Sequence, residues 1–418
     1  MKVNIIGAGI SGLTAANILQ QADIEVGVLE ASSQAGGRIL SCFENDNEFY
    51  ELGAEIIYGT NSPQAALLNQ SDDQLILAQG ENLYWYQQQL LHSSEVEKNT
   101  AVDKLLTILG DIESCKGVYH NQEMSLLDFI QQENYYTEDM RGIVEAFACE
   151  YGTTADKLGM QSLIAEENTW SCGQKEYYTQ YPMQSVCEPL LKQVGDIIEY
   201  QKKISQVNYS DEKVILTDEQ GNQYESDAVI ISVNLGVLKS QDIMFNPALP
   251  SDKQSAIESI GMDTGIKVIL RFTERWWDES MLTLEGGELC LEYLVSRNYQ
   301  TPTLTGFIMG DKVKPVENLN HNELGKRLTQ EMDSIFGHQY ASNTLCKVHV
   351  KHWGKDPLHK GVYSYPALNA IDKREILSTP IKNKLYFIGE ACNTQGHAST
   401  VHGAIESAKQ ACKLIISS

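Results

Sequence analysis

Three glycines and an acid roughly twenty residues beyond them are the first residues in this chain whose types and spacing could do chemistry. They stand in Gly7-Ala8-Gly9-Ile10-Ser11-Gly12 and at Glu30. Gly7 permits a tight turn, Gly9 lets backbone approach a pyrophosphate, and Gly12 lets a helix lie close on a strand. Glu30 is placed to accept ribose hydroxyls, and a helix N-terminus would face the phosphates. A second group lies near the far end. Gly389-Glu390 follows the apolar run Leu385-Tyr386-Phe387-Ile388, and Ser399-Thr400-Val401-His402-Gly403-Ala404 opens a helical pattern. A helix starting there, capped by Ser399 or Thr400, would stabilise negative charge on a bound group. A third candidate is Lys267, inside Lys267-Val268-Ile269-Leu270-Arg271-Phe272. Alternation places Lys267, Ile269 and Arg271 on one strand face, which on pattern alone reads as a solvated face.

The elements that must position these residues are legible. Val3-Asn4-Ile5-Ile6 suits a strand buried on both faces, Leu13 to Leu19 a small-residue helix, and Glu25-Val26-Gly27-Val28-Leu29 a second strand. Residues 63–188 carry helical spacing, with Tyr84-Trp85-Tyr86 and Leu90-Leu91 as a hairpin. A strand from Tyr200 to Val207, Val214-Ile215-Leu216-Thr217, the turn Gly221-Asn222 and Ala228-Val229-Ile230-Ile231-Ser232 predict a meander. A strand around Lys267 and a helix near residues 324–336 follow. In the terminal helix Ala404, Ala408, Cys412 and Ile415 share one face.

At 418 residues the chain is long enough for two domains. It has no apolar run of about 18 residues, no room before its first strand for a signal peptide and no apolar C-terminal tail, so a cytoplasmic protein without a membrane partner is expected. Nine scattered cysteines without a CxxC pair favour free thiols over disulfides or zinc, and no metal is expected. The net charge of −24 argues against nucleic acid and suits a cationic substrate.

The dinucleotide fingerprint alone leaves NAD and FAD open. Gly36-Gly37-Arg38 and Glu51-Leu52-Gly53-Ala54-Glu55 decide between them, because an NAD fold needs neither. Both resemble the flavin amine oxidases, the family of monoamine oxidases, polyamine oxidases and lysine-specific histone demethylases. Gly389-Glu390 with Thr400-Val401-His402-Gly403-Ala404 resembles the flavin-binding segment of spermine oxidases and histone demethylases, and the spermine-type polyamine oxidases are the nearest in motif. The resemblance implies a discontinuous α/β FAD-binding domain, Rossmann-like and of the p-hydroxybenzoate hydroxylase (GR2) type, over residues 1–75, 195–240 and 355–418. It also implies an α+β substrate-binding domain with a mixed sheet and flanking helices over residues 76–194 and 241–354. FAD contacts are implied at Gly7, Gly9, Ile10, Ser11, Gly12, Glu30, Ala31, Gly36, Gly37, Arg38, Gly53, Ala54, Glu55, Ile56, Ile204, Gly389, Glu390, Thr400 and Val401. The Ile204 strand would bring a backbone group to the adenine.

The same resemblance assigns roles in catalysis. Lys267 would hold a water next to flavin N5, and Tyr363, in Gly361-Val362-Tyr363-Ser364-Tyr365, would stand beside the flavin as an aromatic wall. Trp353 and Tyr58 complete the expected substrate pocket. Thr400 replaces the second cage tyrosine of monoamine oxidases, and Val362 replaces the cysteine that bonds to their flavin, so FAD is expected to be non-covalent. Tyr58 stands where polyamine oxidases often have histidine, and a phenol titrates far too high for a pH switch. The expected reaction is oxidation of an amine C–N bond, with oxygen as acceptor and hydrogen peroxide as product, on polyamines. The alternatives are an L-amino-acid oxidase, in which Arg271 would clamp the carboxylate, and a flavoprotein that binds a ligand without turnover. The chain has no room for the extra domain and helical insertion with which histone demethylases hold nucleosomes, so no chromatin role is expected.

Overall fold

In a computed structural model of the chain, residues 1–45, 48–69, 75–117, 123–296 and 301–418 are described. A five-stranded parallel sheet runs in the order Ile198–Glu199, Glu25–Leu29, Lys2–Ile6, Ala228–Ile231, Leu385–Phe387. Its central strand is buried on both faces, as the unbroken apolar run predicts: Val3, Ile5 and Ile6 are withdrawn from water, and so is Asn4. The helix Ile10–Gln21 returns along one face and packs against the terminal helix Val401–Ile416. The small face predicted for the terminal helix is buried there, with Ala404, Ala408, Cys412 and Ile415 in one core with Leu13, Ala15 and Ala16. Gly12 lets the first helix lie close on the glycine turn, since a Cβ on it would come within 2.1 Å of the Gly7 carbonyl oxygen.

The stretch after Tyr200 differs from the single strand expected. It divides at Gln201, whose φ of 58° turns the chain. Ile198–Glu199 stays on the edge of the parallel sheet, and Ile204–Asn208 begins a four-stranded sheet with Val214–Asp218, Gln223–Ser226 and Met244–Asn246. The Gln201 and Lys202 amides donate to the Ser32 and Glu30 carbonyls, which fixes that turn beside Glu30.

The second large sheet is mixed and seven-stranded. Its order is Leu345–His352, Gly265–Phe272, Thr303–Met309, Glu292–Val295, Met281–Glu285, Glu81–Tyr86, Gln89–Leu91. The predicted hairpin forms its far edge. The helix His321–Phe336, capped by Asn320, packs with this sheet. The helices Thr100–Gly110, Leu126–Gln131, Arg141–Glu150 and Met160–Glu167 form a separate apolar cluster flanking the sheet. The strand Gly265–Phe272 has no solvated face: all eight of its residues are buried. Alternation assigns side chains to two faces, but it does not say that both are covered.

Leu13 sits between the parallel sheet and the terminal helix with no exposed surface. Leu13→Ala is expected to lower unfolding stability by about 2–5 kcal/mol, read from urea denaturation, because helix and sheet cannot collapse fully onto the void.

Candidate active site

A cavity of about 610 Å³ opens between the C-terminal ends of the parallel strands and the mixed sheet. Every site residue expected from the sequence lines it, except Gly12, which lies beneath the glycine turn. That turn is braced from below, where the Gly7 amide donates to the Leu29 carbonyl and the Gly36 amide to the Ala8 carbonyl. Gly36-Gly37-Arg38 is thereby laid along the glycine turn, and the Ala54 amide, donating to the Arg38 carbonyl, adds the Gly53 segment. Glu30 accepts hydrogen bonds from the Ala8 and Ser32 amides, at 2.6 and 2.8 Å, which aims its carboxylate across the turn.

These residues fit a dinucleotide. A Cβ on Gly9 or on Gly389 would meet no heavy atom within 4 Å, so bare backbone faces open space at both ends of the cavity. Gly9 caps the helix Ile10–Gln21 without any side-chain hydrogen bond, which leaves its first amides free for an anion. Thr400 caps the terminal helix instead, accepting from the Gly403 amide at 2.9 Å while its hydroxyl donates to the His397 carbonyl. Glu390 is buried, and the Arg38 guanidinium donates to it at 2.8 Å and to the Val362 carbonyl at 2.9 Å. Burial opposes ionisation of Glu390, but the Arg38 and Arg374 cations and the Ser364 hydroxyl outweigh it and hold the carboxyl below its usual range.

Across the cavity, Lys267 is 4 % exposed and its ammonium donates to Glu55 Oε2 at 2.7 Å and to the Gly53 carbonyl at 2.9 Å. The same nitrogen lies 5.4 Å from the centre of the Phe307 ring. Glu55 Oε1 is buried with no protein partner. An ammonium has three donors, so one remains for a water or ligand between Lys267 and the cavity. The Trp353 indole N–H donates to the Leu52 carbonyl at 2.9 Å and holds the Gly53 segment from the other side. Tyr363 donates to the Cys149 carbonyl at 3.3 Å, and its ring lies so close to Gly152 that a Cβ there would come within 2.7 Å. Burial pushes the Tyr363 and Tyr58 phenols well up, so both stay neutral. Tyr58 meets the Trp170 ring edge-on at 5.4 Å.

Arg271 is not part of this site. Its guanidinium is ion-paired with Glu44 and with Glu48, the latter at 2.8 Å, and does not line the cavity. Among the described lining residues Arg38 is the only arginine, and Glu390 engages it. The carboxylate clamp on which the amino-acid oxidase alternative depended is therefore missing from the position expected for it.

Sequence reasoning also missed a group of acids. Glu150 and Glu176 line the cavity, and Glu292 and Glu285 stand behind them on neighbouring strands of the mixed sheet. Burial and mutual repulsion push Glu150 and Glu292 up together, Glu285 is pushed up to about 7, and burial raises Glu176. The signal available in sequence was slight: Glu292 heads an otherwise apolar strand, Glu292-Tyr293-Leu294-Val295.

Removing one partner of the Lys267–Glu55 pair leaves the other as an uncompensated buried charge. Lys267→Met is expected to cost about 3–5 kcal/mol in urea unfolding. Adding Glu55→Gln should recover a substantial part of that loss, so the double variant should be more stable than Lys267→Met alone.

Comparison with known proteins agrees with this geometry. Residues 10–416 match the family described as flavin containing amine oxidoreductase. Lysine-specific histone demethylase 1 homolog 3 of Arabidopsis thaliana is 26% identical over 97% of this chain, which spans 29% of that protein. Probable polyamine oxidase 4 of the same plant is 27% identical over 99% of this chain and 87% of its own length. Among solved structures, wild-type putrescine oxidase bound to putrescine superposes with a TM-score of 0.85 over the whole of both chains at 18% identity. Cyclohexylamine oxidase from Brevibacterium oxydans IH-35A gives 0.83, again at 18%, covering all of this chain and 98% of its own. With its glycine cradle, its Arg38–Glu390 pair and a family match over nearly its full length, this chain belongs to the flavin-containing amine oxidoreductases, and its cofactor is FAD.

Proposed function

We propose that the protein oxidises linear polyamines at a carbon next to nitrogen, with oxygen as the final acceptor and hydrogen peroxide as a product. One observation carries this reading. Lys351, Lys267, Phe307, Glu292, Glu285 and Tyr84 occupy successive strands of the mixed sheet as directly opposed residues. Directly opposed residues share a face, so the row runs from the lysine at the cavity to two glutamates deeper in the sheet. Strands are about 4.8 Å apart, which places Glu292 about 10 Å and Glu285 about 14 Å from Lys267, the scale of an extended polyamine. The acids have few cations of their own, and Lys267 is the one that lowers the Glu292 carboxyl. A polycation would supply the missing charge. The names of a polyamine oxidase and a putrescine oxidase among the relatives support the same substrate class.

FAD, when bound, accepts a hydride from the carbon beside nitrogen and passes the electrons to oxygen, leaving an imine that water hydrolyses to aldehyde and amine. The chain's own residues do the rest. Tyr363, Thr400 and Trp353 wall the reacting end and keep water from the amine, which favours the neutral form that can release hydride. Lys267, held by Glu55 and Gly53, presents its remaining N–H to a water. Glu150 and Glu176, on the cavity wall, anchor the distal ammonium groups, with Glu292 and Glu285 adding negative charge from behind, and so set which carbon reaches the reacting position. Val362, packed in the core beside Tyr363, has no atom that could bond covalently to the flavin.

Anaerobic bleaching of the flavin should be rapid with putrescine, spermidine or spermine and slow with a simple monoamine or an L-amino acid. Bleaching by the amino acid alone would overturn the reading. Glu292→Gln should raise KM for polyamines by about 10–100-fold, equivalent to about 1.4–2.8 kcal/mol, with little change for a monoamine. Because the acids are pushed up, with Glu285 at about 7, they bind a cation only after losing protons. KM for polyamines should therefore fall as pH rises through that range, and the fall should shrink in Glu292→Gln.

A further inference from the structure

Behind the wall of the cavity three metal-ligating side chains meet without an assigned purpose. Cys172 comes from the loop after Trp170, His397 from the loop before the terminal helix, and His402 from that helix's first turn. One ligand atom from each lies within 4.8 Å of the others, and none of the three lines the cavity. His397 and His402 are buried, 3 % and 0 % exposed. His402 has no hydrogen-bond partner on either ring nitrogen. Leaving a buried polar group unpaired is costly, about 1–3 kcal/mol, so a fully enclosed imidazole with no partner calls for an explanation.

His397 is already oriented as a ligand. Glu406 Oε2 sits 2.8 Å from its Nδ1, and Glu406 is in turn held by the Asn393 amide at 2.9 Å. That places the ring proton on Nδ1 and the lone pair on Nε2, which lies 3.6 Å from Cys172 Sγ. The Ser171 amide donates to the same Nε2 at 3.2 Å, which agrees with this tautomer and is a hydrogen bond that a metal would displace. A carboxylate behind a ligating histidine is the arrangement that fixes ring orientation and raises its basicity at metal sites. Tetrahedral zinc, with nitrogen at about 2.0–2.1 Å and sulfur at about 2.3 Å, sets ligand atoms about 3.5 Å apart, so the sulfur and Nε2 are spaced for it.

We propose that Cys172, His397 and His402 form a zinc site that fastens the cavity-wall loop at residues 169–175 to the start of the terminal helix. A set of two imidazoles and one thiolate selects zinc over magnesium or calcium, and a water or the Ser171 hydroxyl fills the fourth position. Binding exchanges the thiol proton for the metal: the S–H bond breaks, the S–Zn bond forms, and one proton leaves to solvent. The loop is already tight against the fold, since a Cβ on Gly59 would come within 1.6 Å of the Cys172 carbonyl oxygen. Zinc would fix the side-chain end of a segment whose backbone is held here and whose Trp170 and Gln174 face the cavity.

Metal content by plasma mass spectrometry tests the site in FAD-loaded protein purified from zinc-supplemented cells. One zinc per chain is expected, with loss in Cys172→Ser and His402→Gln and a roughly 10–100-fold weaker affinity in Glu406→Gln. FAD content reports whether each variant has folded. Zinc retained in full by Cys172→Ser with His402→Gln would overturn the assignment, as would wild-type protein that takes up none. Should the variants not fold, the wild-type enzyme decides. Alkylation of Cys172, mapped by peptide mass, should rise when zinc is removed with a chelator and fall again when zinc alone is restored. Labelling that ignores the metal would sink the proposal.

Discussion

A lysine ammonium and a glutamate carboxylate, both withdrawn from water, hold the cofactor side of this molecule to its substrate side. Glu55 belongs to the loop that follows the strand Glu48–Glu51, and Lys267 to a strand of the mixed sheet. Neither charge could be buried alone, so each specifies the position of the other. The Trp353 indole, bonded to the Leu52 carbonyl, works to the same end, while the Arg38 guanidinium, bonded to Glu390 and the Val362 carbonyl, ties together distant segments of the cofactor side. All four interactions join segments more than 200 residues apart in sequence. The cavity exists because these contacts close it.

The mixed sheet then converts position in the ladder into position along the cavity. A strand ladder fixes which residue opposes which, and a slip of one would turn Lys267 and Glu292 to the other face. The acids are held at a graded distance from Lys267 by backbone hydrogen bonds, which do not vary with the side-chain rotamers. In the function proposed above, substrate length is measured against the spacing of strands.

The N-terminal fingerprint was legible because its parts are local: the strand, turn, helix and acid follow one another within thirty residues and each has its own composition signal. Likeness to a family supplied Lys267 where periodicity pointed to a solvated face. Periodicity failed there because the strand is covered on both sides. Arg271 was misplaced for a related reason. It shares a face with Lys267, but four residues along a strand is about 13 Å, far enough to bring it to the acidic hairpin of Glu44 and Glu48. The buried glutamates were illegible because cross-strand register brings them together and no spacing in the sequence records it. The same holds for Cys172 and His397, whose side chains meet although the two lie 225 positions apart in sequence.

The order in which the chain leaves the ribosome sets a further condition. The central strand of the parallel sheet and the first helix are made long before the edge strand Leu385–Phe387 and the helix Val401–Ile416, which helps to cover Leu13, Ala15 and Ala16. Until those residues emerge, the apolar face of the first helix is covered only in part, by the sheet and by the helix Glu188–Val194. A nascent chain of this topology holds part of that hydrophobic face open while the intervening residues are made, the condition under which unfinished chains aggregate.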